Sequence, residues 1–441
     1  MEFEPLLERD PFIGEPDELY ESQNITINHC ELKHKDGVLT LGQAVDSFQV
    51  AFGLSLDVSK CLVSILDTTN TLANLDPDGT EILTLGWESE KDNPILIEFN
   101  IYKIDIQTDD KNQTSKLYNF YGCSPEFIHQ ATTDINRTMT GKISEMVQTI
   151  FDNIGTPPKT AIKNKLYDVH ETTGVVNLII PGETPLEAIR RLEKRSYSAK
   201  HKSSLYRFFQ DTKGFRWANL ERLIEEGRAD EFTFKYAYNP SNVNTGKTTK
   251  EKFNIINMSF GKTKDIIEKL ISGAYASRVN EIDLVNQKID TTQLQLKENF
   301  KDFFHLDQPA ITFDKLPIIE QSLNKINNTE WINKYPGNFN WGAQITRAKF
   351  YADCLGQVRM NCMVPGYSNL NPGRVLDLSM LEASINKENP EQEKKISGKY
   401  LIDTVTHVYS QQKYVCVLSC SKESHRANLE DLSDYIIGDR K

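Results

Sequence analysis

Leu370-Asn371-Pro372-Gly373 opens the stretch that decides the fold. An extended run, Arg374–Leu378, and a polar excursion follow it. Two strands come next, Tyr400-Leu401-Ile402-Asp403-Thr404-Val405-Thr406-His407-Val408-Tyr409 and Tyr414-Val415-Cys416-Val417-Leu418-Ser419-Cys420. Pro-Gly is a turn dipeptide, and the β-branched and aromatic residues after it favour strand over helix. Asp403 and His407 have the residue types of a catalytic pair. Four apart on an extended strand, however, they sit roughly 13 Å from each other, too far to share a proton. The stretch reads as framework.

Working outward, the same strand pattern fills Ile25 to Tyr121. Leu54, Leu56 and Val58 alternate with Ser55, Asp57 and Ser59. Lys60–Leu66 is a second extended run, and Asp76-Pro77-Asp78-Gly79 turns the chain into Thr80–Trp87. Within Pro94–Gln107 the apolar phase shifts from Ile95, Ile97, Phe99 and Ile101 to Ile104 and Ile106. That shift predicts a β-bulge near Tyr102 or a change of neighbour there.

The period then lengthens. Ile143, Met146, Val147, Ile150 and Phe151 predict an amphipathic helix with Thr140 as N-cap. Thr184-Pro185-Leu186-Glu187 carries a capping box ahead of a second helix. Ser204–Trp217 returns to strand, with a turn at Gln210–Gly214. Phe232–Tyr238 and Phe253–Met258 read as strands, Lys264–Ile271 as a helix, Glu281–Ile289 as extended, and Trp341–Val364 as the start of a last strand block. The fold class is therefore α+β and β-rich. Strand blocks cover 25–122 and 204–220 plus 341–422, with insertions at 123–203 and 221–340. An arm, 1–24, and a tail, 423–441, flank them. The arm holds eight carboxylates against Arg9, a composition that leaves it disordered alone, with Leu6, Leu7, Phe12 and Ile13 able to dock on a neighbour.

The 441 residues carry a net charge of −11, 39% apolar and 26% charged side chains. This is a globular composition, opposite in sign to a protein that grips nucleic acid through its phosphates. No apolar run reaches the roughly 20 residues of a membrane span. The start Met1-Glu2-Phe3-Glu4-Pro5 lacks a signal-peptide pattern. Seven cysteines without paired spacing suggest free thiols in a reducing compartment.

No catalytic, cofactor or metal residues are assigned, and each candidate has a plainer structural account. Gly246-Lys247-Thr248 and Gly261-Lys262-Thr263 end like phosphate loops, but Ser241 and Ile256 replace the earlier glycine that such a loop needs. His170-Glu171 begins like a zinc-protease helix, but Gly174 stands where the second histidine belongs. Cys416 with Cys420, and Cys354 with Cys362, lack zinc spacing and read as buried thiols. Glu183 and Glu187 share a helix start, and capping explains Glu187. The basic runs Arg190–Arg195 and Lys200-His201-Lys202 read as solvated faces.

Several short motifs, in order, resemble the central hub protein of contractile-tailed bacteriophage baseplates, a family also seen in contractile injection systems. They are Tyr121-Gly122-Cys123, Phe208-Phe209-Gln210-Asp211-x-x-Gly214, Leu370-Asn371-Pro372-Gly373 and Ile402-Asp403-x-Val405-x-His407, with Gly273–Val279 similar to a further hub-like stretch. The resemblance spans about 25–422; the arm and the excursion Met380–Lys399 fall outside it. It implies two tube-like antiparallel β-barrel domains per chain and two inserted α/β domains. It also implies a homotrimer that joins a sixfold tail tube to a threefold central spike in the virion baseplate. Expected partners are the spike, the tail tube protein and other baseplate proteins. DNA is expected only as passing cargo, with no stable membrane insertion, cofactor or metal. Two alternatives remain at this stage. A tail-tip glycan-processing enzyme needs two carboxylates roughly 5–10 Å apart. A receptor-binding module needs an exposed aromatic platform, whereas Trp87, Trp217, Trp331 and Trp341 are scattered in strand or loop contexts that read more like core.

Overall fold

The structure, a computed structural model, describes residues 25–423 apart from 36, 76, 90–93, 110–111, 155–161, 163, 230–233, 239–254, 262–275, 285, 296–302, 308–318, 326–333, 336–343, 345–346, 349–350, 353–354, 357 and 381–395. The readings on the arm, Gly246-Lys247-Thr248, Lys264–Ile271, Trp331, Trp341, Cys354 and most of the excursion lie outside the described residues.

The first block supplies β1 (Ile25–His34), β2 (Gly37–Thr40), β3 (Val45–Gly53), β4 (Lys60–Asp67), β5 (Ile82–Ser89), β6 (Ile95–Asp109) and β7 (Asn112–Cys123), with the short α1 (Thr71–Leu75) between β4 and β5. An insertion follows, with α2 (Pro125–Gln130), β8 (Ile135–Gly141), α3 (Ile143–Ile154), β9 (Leu166–Val169), β10 (Val176–Glu183) and α4 (Pro185–Glu193). Then come β11 (Tyr206–Asp211), β12 (Gly214–Asn219), α5 (Leu220–Ala229), β13 (Phe234–Tyr238), β14 (Asn257–Phe260), β15 (Ala276–Asp283), β16 (Lys288–Gln295) and β17 (Ile319–Lys325). The last block is β18 (Val358–Pro365), β19 (Val375–Met380), β20 (Gly398–Ser410) and β21 (Lys413–Lys422). The protein is β-rich and dominated by antiparallel pairing. No helix among the described residues is long and apolar enough to cross a membrane.

Among the described residues the two strand blocks, with β13 and β14 of the second insertion added, form one thirteen-stranded sheet: eleven strands run β14-β18-β21-β20-β3-β4-β7-β6-β5-β1-β2, and off this path β19 pairs with β20 and β13 with β19. The seam is β20. Its first residues, Gly398–Leu401, pair with β19, and Thr404–Ser410 pair antiparallel with β3. Between them the register breaks at Asp403, whose carbonyl accepts the Leu54 N–H at 2.8 Å. That bulge lets one strand change neighbours without losing its ladder to β21. A second bulge sits where expected, between Ile101 and Lys103 at Tyr102.

One core covers a single face of the whole sheet and takes side chains from both blocks. Phe48, Phe52, Val63, Phe99 and Phe120 meet Met360, Val405, Tyr414 and Leu418 there. A second core joins Leu54, Phe209, Leu223, Tyr351 and Leu401. A third holds α3 and α4 against β11–β12 through Val147, Ile150, Ile189, Phe208 and Trp217.

The hairpin β11–β12, read from the sequence as part of the second strand block, pairs instead with β9 in a separate three-stranded sheet. Both of its faces are apolar, so it is buried between the second and third cores. Leu54–Ser59 is a turn, not a strand. Leu54 enters the second core and Val58 the third, and that division produces the alternation. Thr140 is not an N-cap. It lies in β8 opposite Asn177, and the Glu145 carboxylate accepts the Lys142 N–H at 3.1 Å to close the helix start. The Thr184–Glu187 capping box is present, with Glu187 accepting the Thr184 N–H at 3.1 Å. Glu281–Ile289 is split by the turn between β15 and β16. The described positions from Gln344 to Leu355 are helical, and strand begins only at Val358.

Candidate assembly surface

The motifs quoted above are joints. Gly373 adopts φ +82° and donates its N–H to Ile402 O at 2.9 Å, so the Pro-Gly turn is tied to β20. Asn371 clasps the β11–β12 turn. Its Oδ1 accepts the Thr212 N–H at 3.2 Å and its Nδ2 donates to Thr212 Oγ1 at 3.0 Å. Gln210 accepts the Ser59 N–H at 2.8 Å, and Tyr167 donates to Asp211. At Gly122 any Cβ would meet Cys61 Sγ at 2.8 Å, which explains glycine in that strand.

Asp403 and His407 serve different neighbours. Asp403 accepts the Ser421 hydroxyl at 3.1 Å, and burial pushes its carboxyl up to about 6. His407 is fully buried, which lowers its pKa to about 4 and keeps the ring neutral. Trp87 Nε1 can only donate, so Tyr414 Oη accepts from it at 3.3 Å, and the Tyr414 proton goes to His407 Nδ1 at 2.7 Å. This chain links β5 of the first block to β20 and β21 of the second. Tyr414→Phe leaves the indole donor unpaired in the core and the imidazole Nδ1 with only the Cys416 sulfur at 3.4 Å. The expected loss is about 1–3 kcal/mol of stability, read by urea denaturation.

The remaining candidates have the following partners in the fold. His170 is buried off any helix, and its Nδ1 accepts the Asn219 N–H at 2.9 Å. Cys362, Cys416 and Cys420 are buried free thiols. Arg190 pairs with Asp57, Arg191 with Glu183 at 3.2 Å, and His201 with Glu225 at 2.9 Å, so the basic runs are locally neutralised. Trp87 and Trp217 are core residues, not a platform. Glu98 and Glu126 are a close pair of buried carboxylates that the sequence did not flag. Each is held in place, Glu98 by the Ile162 N–H at 2.9 Å and Glu126 by Ser124 and by Asn164 at 2.9 Å. His34, Asp78 and Glu81 also converge, their ligand atoms within 4.8 Å. Glu81 already accepts the Asp78 and Gly79 N–H groups at 2.8 Å each, and Asp78 pairs with Lys35 at 2.7 Å, which is how an acidic turn locks.

The face of the sheet opposite the core runs on across the seam. Registers across the seam align Val415, Val408, Gln49, Leu62 and Tyr121 in one row, and Ser410, Ser47, Ser64 and Asn119 in the next. Most are half-buried, small or hydroxylated. Lys103 stands over the Tyr121 ring at 4.6 Å and pairs with Asp105 at 2.7 Å, so its charge is neutralised locally. Such a face has donors and acceptors for packing and carries separate exposed lysines, Lys413 opposite Ser410 and Lys60 two residues before Leu62.

By sequence, the chain matches no protein-family model and no curated protein. By structure, it superposes on the tail protein from Neisseria meningitidis MC58 with a TM-score of 0.54 at 8% identity, covering 91% of this chain and 97% of that one. The 43 kDa tail protein of prophage MuSo2 from Shewanella oneidensis gives 0.54 at 11% identity, covering 90% and 98%. A type VI secretion system component from E. coli gives 0.42 at 10% identity, covering 87% and 75%. The first two share the β-rich fold of this chain over nearly the full length of both chains.

Proposed function

We propose that the chain is a non-catalytic structural protein of a phage tail. In this reading it is a baseplate hub whose homotrimer joins the sixfold tail tube to the threefold spike and forms part of the DNA-ejection channel. The observation that supports it best is the seam. Two strand blocks of one chain lie side by side in one sheet, as a subunit needs if it is to present two quasi-equivalent tube-like halves to a sixfold ring. The open face, polar with scattered charges, then suits subunit packing. The test is native mass with negative-stain imaging, alone and with the co-expressed spike. A trimeric hollow ring is expected, and a persistent monomer rejects the reading. Val408→Glu places a charge in the middle of the open face without touching the core. It is expected to keep the monomer's far-UV spectrum and thermal midpoint while reducing trimer yield at least tenfold.

A further inference from the structure

A cavity of about 210 Å³ lies beside the clasped turns, lined by Tyr167, Lys213, Arg216, Glu226, Arg374 and Val375 among others. Arg216 belongs to β12, and its side chain is only 12% exposed. Its Nε and Nη2 donate to Asp168 Oδ2 at 2.9 and 2.5 Å, while Nη1 has no acceptor among the described residues. Lys213 is exposed at the tip of the same hairpin, and its ammonium likewise has no partner among the described residues. Glu226, the one carboxylate on the wall, is held by Arg222 at 2.7 Å. Leu223 and Val375 give the cavity an apolar floor. A planar fork with open donors, a point charge and an apolar base together suit a carboxylate on a short acidic, partly apolar peptide.

We propose that this cavity docks the acidic arm, residues 1–24 of the polypeptide. The arm has eight carboxylates against one arginine, with the apolar pairs Leu6-Leu7 and Phe12-Ile13 among them. Twenty-four extended residues reach at most ~80 Å, so the tether at Ile25 on β1 does not restrict the arm to its own edge of the sheet. Docking there would hold the arm against the joint that ties β11–β12 to the main sheet. The inference does not depend on the oligomeric reading above.

Carbodiimide cross-linking of the full-length chain, mapped by mass spectrometry, tests it, because amide bonds form only where an amine and a carboxylate are in contact. The expected result is a link from Lys213 to carboxylates within 1–24, at least fivefold above the links from the exposed sheet lysines Lys60 and Lys413 to the same arm. Arg216→Gln should lower the Lys213 link several-fold. Because that change also disturbs Asp168, a second variant makes the arm's apolar pairs polar instead (Leu6→Ser, Leu7→Ser, Phe12→Ser, Ile13→Ser), keeps every arm carboxylate available to the carbodiimide, and should have the same effect without touching the described fold. Arm links spread evenly over Lys60, Lys413 and Lys213, or none to 1–24 at all, would overturn the proposal.

Discussion

Replacing Gly366 by alanine is expected to be among the most damaging single-methyl additions in the chain. Gly366 follows β18 and donates its N–H to Tyr414 O at 3.0 Å. A Cβ there would lie 2.0 Å from Tyr414 Cδ1 and 2.4 Å from two more ring atoms. The ring cannot swing away cheaply. It is 1% exposed, stacked on His407 with centroids 6.0 Å apart, and anchored through its hydroxyl by Trp87 and His407. Overpacking a well-filled core costs about 1–3 kcal/mol and sometimes more. Here the overlap exceeds what a few tenths of an ångström can relieve and also breaks a buried polar chain. A loss of about 4 kcal/mol is expected, comparable with the whole stability of a marginal domain. Soluble yield and the urea midpoint would both report it. Two comparisons make the cause specific. Gly42→Ala, whose nearest neighbour would be Ile27 O at 3.9 Å, should leave the midpoint within about 0.5 kcal/mol of the parent. Gly366→Ala combined with Tyr414→Leu should be less destabilised than the two single changes added together, since the smaller side chain frees the space the methyl needs.

What the sequence discloses and what it hides follow from how local each signal is. The bulge at Tyr102 was legible because a phase shift in an alternating strand is a property of that strand alone. The capping box at Thr184 and the Pro-Gly turn at Gly373 were legible for the same reason. The placement of β11–β12 was not, because a hairpin apolar on both faces is equally suited to any two-sided burial, and nothing in 204–219 names its neighbours. Leu54, Leu56 and Val58 mimicked a strand because a turn that feeds two separate cores also alternates. The cavity at Arg216 combines residues from 167, 213–216, 223–227 and 373–375, which the β9–β12 pairing and the clasp between Asn371 and Thr212 bring together. That Asp403 and His407 share no proton follows from the rise of a strand alone, and in the fold each side chain has its own partner, Ser421 for the first and Tyr414 for the second.

Stability should rise as the solution is acidified from pH 8 to pH 5.5, the reverse of a fold held by exposed carboxylate pairs. Burial raises Glu193 and Glu221 from 4.5 to about 7, and lesser contributions from Arg207 at the first and from Ser203 and Arg347 at the second do not offset it. A carboxyl whose folded pKa lies above its unfolded value binds its proton earlier in the native state. Its stabilising contribution is therefore complete below about 4.5 and lost as pH climbs through 7. Between pH 8 and 5.5 each glutamate is worth about 2 kcal/mol at 1.36 kcal/mol per unit. Asp403, raised to about 6, adds in the same direction, about 1 kcal/mol by pH 5.5. His407 opposes them. Its pKa falls from 6.5 to about 4 in the fold, so the unfolded chain takes up a proton first and stability is lost as pH drops below about 6.5, by about 1.4 kcal/mol at pH 5.5. The sum remains a gain of about 3 kcal/mol. Below pH 4.5 the sign turns, because the unfolded glutamates protonate too. Asp168, held well below the usual carboxylate range chiefly by His170 and Arg216 against its own burial, then begins to lose its contribution. Urea midpoints at pH 5.5 and 8 check the prediction. Glu221→Gln should remove about 2 kcal/mol of the difference and should already raise stability at pH 5.5 by about 1.4 kcal/mol, since the unfolded glutamate is ionised there while the folded one is neutral. A parent protein equally stable at both pH values, or a Glu221→Gln variant with an undiminished slope, would mean that these buried carboxyls stay ionised in the fold.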